Sequence, residues 1–209
     1  MPKTLLDIGC GRGVSTLLLA QHTQGLVTAV DNDEYSLARL QAAVTSNAVE
    51  HQVRLLCASM TDLPFEGNSF DAIWAEGSAY IMGFGNALKC WRRFIKPQGF
   101  LVVSDLMWLT DSPRSEASSF WQKNYPDMTT LQNRVSSITS LGYRVVRSFP
   151  LSRQAWENYL APLRIKIADL SAKDFSSKAL ADIKDEIDIH ERFLDDYGYQ
   201  FFVLQKSSA

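Results

Sequence analysis

The sequence predicts an α/β fold, a largely parallel sheet with helices on both faces. Two observations carry this. Short apolar runs alternate along the chain with stretches of helical periodicity, the pattern of strands buried on both sides. The first run, Leu5 to Ile8, also passes straight into Gly9-Cys10-Gly11-Arg12-Gly13 and then into an apolar helix.

The elements follow in order. The first strand is about Thr4 to Ile8, and the first helix about Val14 to His22, with Leu17, Leu18 and Leu19 on or near its buried side. Gly25 turns the chain into strand two, Leu26 to Val30, which ends at Asp31. A helix spans about Asp33 to Ser46, and strand three about Val53 to Ala58. Leu63-Pro64-Phe65 and Gly67-Asn68 lead to strand four, Phe70 to Ala75. A helix runs from about Gly85 to Ile95, with Trp91-Arg92-Arg93 read as a solvated face. Pro97-Gln98-Gly99 is a turn signal. Phe100 to Ser104 is strand five, Met128 to Leu141 a helix, Tyr143 to Phe149 strand six and Tyr199 to Leu204 strand seven. Residues 152 to 170 and 175 to 196 form two helices between the last strands. Such an insertion has no place in the sheet and is expected at its open end, where substrates bind. The whole, residues 1–209, reads as one domain with residues 152–196 as a helical lid within it.

Composition narrows the function. The 209 residues suffice for one domain with a substantial core, and 46% hydrophobic and 21% charged residues are ordinary for a globular chain. A net charge of -2 leaves no electrostatic footprint for nucleic acid or an anionic membrane. From Asp169 to Asp196 nine acidic residues face four basic ones, which would hinder a polyanion. Cys10, Cys57 and Cys90 form no Cys-x-x-Cys pair, which argues against zinc or a disulfide framework and fits a reducing cytoplasm. No apolar run approaches the roughly 20 residues of a membrane span. Asp7 interrupts the N-terminal apolar stretch, so no signal peptide is expected.

The chemistry lies in the first turn. Asp7-x-Gly9-x-Gly11-x-Gly13 differs from the dinucleotide pattern Gly-x-Gly-x-x-Gly, which needs a small residue where Val14 stands. Alternating glycines let the backbone lie against a ligand. Asp7 would repel a pyrophosphate but suits an ammonium group. At these residues the chain resembles the class I S-adenosylmethionine-dependent methyltransferases, whose ligand carries an ammonium and a sulfonium and no phosphate. The resemblance covers about Thr4 to Leu151. It is nearest to small-molecule methyltransferases found largely as uncharacterised bacterial proteins, which share a strand-four end like Trp74-x-Glu76-Gly77-x-x-Tyr80, a following Gly83-Phe84 and a closing Tyr197-Gly198-Tyr199. Members of the class carry a helical segment ahead of the first strand. Here the strand begins almost at Met1, so the chain is either minimal or incomplete at its start.

The resemblance implies a seven-stranded Rossmann-like sheet, parallel apart from its last strand, with S-adenosylmethionine as cofactor. It implies a cofactor site of Asp7, Gly9, Cys10, Gly11, Gly13, Asp31, Asn32, Ser59, Met60 and Glu76. Asp31 would hold both ribose hydroxyls, since a carboxylate accepts two hydrogen bonds from a diol; the alternative is a helix N-cap. Asn32 would lie beside the adenine edge, Ser59 near its amino group and Met60 on the ring face, unless Met60 only fills the core. Many relatives have Asp where Ser59 stands. Glu76 lies at the carboxyl end of strand four, where open sheets bind ligands, and is read both as a cofactor contact and as a catalytic group with Tyr80. Tyr80 could instead just pack.

Methyl transfer needs positioning and desolvation more than protein-borne chemistry. Strand four lacks Asn-Pro-Pro-Tyr or Asp-Pro-Pro-Tyr, and no Pro-Cys follows it, which disfavours amine methylation on DNA or glutamine and attack at cytosine C5. Asp105 follows strand five without clear second and third ligands, so no metal is expected. Trp108, Trp121, Tyr125, Trp156 and Tyr159 could shape an acceptor pocket or glue the insertion down. His22, His51 and His190 suit surface or helix-end roles. The reading is methylation of a small-molecule acceptor in the cytoplasm, without nucleic acid or membrane partners. The alternatives are a protein or RNA methyltransferase, and a catalytically inactive cofactor-binding regulator of the same fold.

Overall fold

The computed structural model describes residues 2–172 and 177–207. Its seven strands form one sheet: β1 (Thr4–Ile8), β2 (Leu26–Asp31), β3 (Val53–Cys57), β4 (Phe70–Ala75), β5 (Ile95–Trp108), β6 (Tyr143–Pro150) and β7 (Tyr197–Lys206). Their order is β3-β2-β1-β4-β5-β7-β6. Strands β1 to β5 are parallel: Leu5 pairs with Val27 and Ala72, Ala29 with Leu55, and Ile73 with Leu101. The last strand runs back. Lys206 Nζ bonds the Ile95 carbonyl at one end of β7, and the Leu109 amide bonds the Asp196 carbonyl at the other. The sheet changes direction at β1, between β2 and β4, and the carboxyl ends of these strands frame the crevice where such sheets bind ligands.

The helices are α1 (Val14–His22), α2 (Glu34–Ser46), α3 (Phe84–Trp91), α4 (Ser115–Asn124), α5 (Leu131–Ser140), α6 (Arg153–Ala172) and α7 (Lys178–Phe193). Asp33 caps α2, accepting hydrogen bonds from the Tyr35 and Ser36 amides at 3.2 Å each. Helix α1 buries Thr16 and Ala20, while Leu18 faces out at 53% exposure, contrary to the buried side expected of it. Helix α6 continues through Pro162, which removes one rung of its hydrogen-bond ladder. The second inserted helix was expected from residue 175; residues 175 and 176 lie outside the described residues.

Two elements depart from the sequence reading. Strand β5 begins at Ile95 and runs through Pro97-Gln98-Gly99, which was read as a turn. Phe70 pairs with Ile95 and Ala72 with Phe100, so these residues form a bulge, with Gln98 at a φ of 61°. The connection after β5 holds α4, and residues 128–130 precede α5 instead of starting it, with Thr130 bridging to Trp108. The reading of Trp91-Arg92-Arg93 as a solvated face also falls. Trp91 is fully buried, and Arg92 holds the Gly142 and Ser207 carbonyls at 3.3 and 2.9 Å.

The chain divides into two compact units. One comprises Met1–Asp105, Gln132–Ser148 and Phe201–Ala209; the other Leu106–Leu131 and Phe149–Gln200. The first holds an apolar core of Leu5, Val27, Ala29, Leu37, Leu40 and Val44 between sheet and helices. In it Asp105, inside β5, is bound by Arg134 of α5 at 2.7 Å, both side chains buried, and Arg134 lies over the Phe84 ring. The second unit has its own core, with Trp121, Tyr125, Trp156, Phe193 and Tyr197 prominent. On its surface Arg192 reaches Glu116, and Arg164 reaches both Glu157 and Glu191.

Candidate functional site

The site begins where β1 ends. Gly9, Gly11 and Gly13 all adopt positive φ, at 72°, 51° and 82°. The turn is anchored on β2, because the Gly9 and Cys10 amides both bond the Val30 carbonyl, at 2.8 and 3.1 Å. At Gly9 a Cβ would stand 2.5 Å from that of Ser78, whose hydroxyl donates to the Ile8 carbonyl at 2.8 Å. At Gly11 a Cβ would meet nothing within 4 Å, so here the left-handed backbone, not crowding, calls for glycine. The turn thus presents a bare, open stretch of backbone between the ends of β1 and β2.

Three carboxylates surround it. Asp7 is buried and accepts the Thr16 hydroxyl at 2.6 Å. Burial pushes its pKa up to about 7, the Thr16 hydrogen bond opposes this, and the charges of Glu76 and Asp31 add to the rise. Asp31 accepts the Gly11 amide on Oδ2 at 2.8 Å and the Asp33 amide on Oδ1 at 3.0 Å. It does not cap α2; Asp33 does, which removes that alternative. An ionised carboxylate has about four lone-pair positions, so Asp31 keeps acceptor capacity for a ligand. Glu76, just past β4, accepts the Ser15 hydroxyl at 2.7 Å and the Trp74 indole N–H at 3.3 Å, both on Oε2. Cys10 is buried, and desolvation drives its thiol strongly toward the protonated form.

The remaining candidates sort by position. Met60 approaches the turn, its Cε 3.7 Å from where a Gly9 Cβ would stand, and its carbonyl accepts the Trp91 indole N–H at 3.1 Å. Ser59 is exposed, its hydroxyl 2.7 Å from that of Thr61. Asn32 is exposed beside Asp31. Tyr80 stands half exposed on the 3-10 turn Ala79–Met82. The sequence reading missed Ser15, Thr16, Ser78 and Ser104, whose hydroxyl accepts the Gly77 amide at 2.8 Å. Two polar residues at the head of the apolar helix, Ser15 and Thr16, were the available signal.

Other candidates are otherwise engaged. Asp105 is committed to Arg134. Trp121, Tyr125 and Trp156 are buried in the core of the second unit, while Tyr159 is exposed. His190 lies in the last turn of α7, a helix end as the sequence suggests, but it is buried and not at the surface, and it stacks on Trp156 with ring centroids 4.2 Å apart. His22 does close α1, its Nδ1 2.8 Å from the Leu18 carbonyl oxygen. Among the described residues no helix is long and apolar enough to cross a membrane.

Residues 6–103 match a family model described as a methyltransferase domain. An uncharacterized protein of Haemophilus influenzae is 30% identical over 108 residues, covering 50% of this chain and 43% of that one. The O-methyltransferase rstn1 of Aspergillus nomiae is 26% identical over 147 residues, covering 69% and 65%. The chain spans less than two thirds of the length of these curated relatives. Among solved structures, an S-adenosylmethionine-dependent methyltransferase from Geobacter sulfurreducens, in complex with S-adenosyl-L-homocysteine, superposes with a TM-score of 0.83 at 19% identity, covering 97% of this chain and 84% of that one.

Proposed function

We propose that the chain is a class I S-adenosylmethionine-dependent methyltransferase, a reading supported by the match of residues 6–103 to a methyltransferase domain, and that it binds S-adenosylmethionine at the Gly9–Gly13 turn and methylates a small-molecule acceptor. The carrying observation is Asp31: its carboxylate is held from both sides by backbone amides, at 2.8 and 3.0 Å, while a neighbour does the capping. A group so fixed, with acceptor positions to spare, suits a ribose diol. The residues present fit the rest of the cofactor. Gly11 leaves open space at the turn, Glu76 sets negative charge where an ammonium group would be received, and Asp7, whose pKa burial raises to about 7, would ionise beside a bound cation. Bound S-adenosylmethionine supplies a methyl group activated on a sulfonium.

In this reading Asp31 orients the ribose, while Asn32, Ser59 and Met60 border the adenine. Cys10 contributes its backbone, the thiol being held protonated. Glu76, fixed by Ser15 and Trp74, borders the methionine portion and orients or deprotonates the acceptor, with Tyr80 as a hydrogen-bonding partner. The named O-methyltransferase activity of the Aspergillus nomiae relative supports an oxygen acceptor.

Titration calorimetry with S-adenosylhomocysteine, followed by a methyl-transfer screen over small hydroxylated and amine metabolites, tests the proposal. Binding with turnover on such an acceptor supports it. Binding with no turnover on any acceptor assigns a regulatory role, and absence of binding overturns the site. The lid role of residues 152 to 196 belongs to the proposal. Amide hydrogen exchange in α6 and α7 should slow when S-adenosylhomocysteine is added, and equal exchange makes the helices a rigid addition.

A further inference from the structure

Glu76 is exposed, and a free glutamate side chain spreads over many rotamers. In this chain one of its oxygens is pinned. Ser15 of α1 and Trp74 of β4 both donate to Oε2, at 2.7 and 3.3 Å. Oε1 accepts no hydrogen bond among the described residues. The carboxylate is thus held by one oxygen and keeps the other for a ligand. Such a grip fixes the group only if the backbone it hangs from is fixed as well.

That backbone lies past the end of the ladder. The β4–β5 pairing ends with Ala75 against Val103. Two residues on, Gly77 turns the chain with a φ of 60°, and a Cβ there would meet nothing within 4 Å. The Gly77 amide is held by a side chain instead: it donates to the Ser104 hydroxyl at 2.8 Å. Ser104 follows Val103 on β5 and is 4% exposed, and its hydroxyl makes no other hydrogen bond among the described residues. The serine oxygen therefore does what a backbone carbonyl does within a ladder. It extends the hold of β5 to the peptide that joins Glu76 to Gly77. An alanine at 104 would remove that one bond and leave the strand its ordinary backbone pairing.

We propose that Ser104 is a positioning residue for Glu76. It fixes the Glu76–Gly77 peptide, so that the grip of Ser15 and Trp74 on Oε2 presents Oε1 to the methyl acceptor in one orientation. The inference rests on the reading of Glu76 as the group that orients or deprotonates that acceptor. Ser104 itself touches neither acceptor nor cofactor in this role, and acts only through the glutamate.

The test compares the isotope-labelled full chain with Ser104→Ala, Glu76→Ala and the double variant, all below their melting temperatures. The Trp74 indole N–H resonance reports its bond to Glu76 and needs no acceptor. In Ser104→Ala it should move from its wild-type position toward that of Glu76→Ala. In the double variant it should stay where Glu76→Ala puts it. With an acceptor from the methyl-transfer screen, Ser104→Ala should lower kcat about 10–10²-fold, the scale of loss when a reacting group is misplaced by about 1 Å. Adding Ser104→Ala to Glu76→Ala should cost nothing more, because the two act as a unit. An unmoved indole resonance in Ser104→Ala overturns the proposal. So does a further loss of kcat in the double variant, the mark of a structural role. So does an unchanged kcat in Ser104→Ala where Glu76→Ala is impaired. An unchanged kcat in Glu76→Ala overturns the reading of Glu76, and the role of Ser104 in turnover with it.

Discussion

The Gly11 amide donates to Asp31 at 2.8 Å, joining the tip of the glycine turn to the end of the neighbouring strand. The bond ties two residues twenty apart in sequence and holds the carboxylate at the mouth of the crevice. Asp33 bonds the other oxygen and caps α2. Helix capping thus falls on Asp33 and leaves the Asp31 carboxylate out of it.

That separation can be measured. Asp31→Ala should weaken S-adenosylhomocysteine binding by roughly 1–3 kcal/mol in calorimetry, the range for charge-assisted hydrogen bonds. Asp33→Ala should lower folding stability by removing the helix cap and leave affinity nearly unchanged. Unchanged affinity in Asp31→Ala removes Asp31 from the site.

Asp7 should leave a signature in the pH dependence of stability. Its folded pKa is about 7, against 3.8 for the ordinary carboxyl. Between these values the unfolded chain has released a proton that the folded chain retains. Its contribution is therefore complete below about pH 4 and is lost as pH rises through 7, with a slope of at most about 1.4 kcal/mol per pH unit. Urea unfolding of wild type and Asp7→Asn from pH 4 to 8 should diverge in that sense. Parallel curves would show that Asp7 ionises normally in the folded chain.

Glu76 separates two roles by kinetics. As the group that orients or deprotonates the acceptor, Glu76→Gln should lower kcat by about 10²–10⁴-fold. A raised cofactor KM with kcat preserved moves Glu76 to the methionine portion alone. Ser15→Ala, which frees Oε2 from the 2.7 Å hydrogen bond, should produce a smaller change in the same constant.

Arg134 and Asp105 form a buried pair that only the tertiary structure revealed. Arg134→Met leaves the carboxylate alone in the core and should cost about 3–5 kcal/mol in denaturant unfolding. Adding Asp105→Asn should recover most of that loss. Additive losses would mean that the two residues act independently.

Much of this protein was legible in its residues. The alternation of apolar strands and periodic helices, the Asp-x-Gly-x-Gly-x-Gly turn and the acids at Asp31 and Glu76 are local patterns. A buried parallel strand must be apolar throughout, and a left-handed turn must use glycine, so each pattern has one physical cause readable in place. Helix α1 and strands β1 and β4 have the boundaries that the sequence predicts, and β2 differs by one residue.

What could not be read depended on partners distant in sequence. Asp105 looked like a candidate ligand until α5 brought Arg134 against it. His190 looked peripheral until Trp156 and Tyr197 enclosed it. Pro97-Gln98-Gly99 looked like a turn because a bulge and a turn use the same residues, and only pairing with β4 distinguishes them. Glu76 and Ser15 stand 61 residues apart, and no local pattern announces their contact. Sequence by itself determined most strands and helices and which turn is built of left-handed glycines, because those follow from local sterics and hydrophobic period. The tertiary structure decided which charged and aromatic side chains are free to act, because that depends on which remote groups desolvate and bond them.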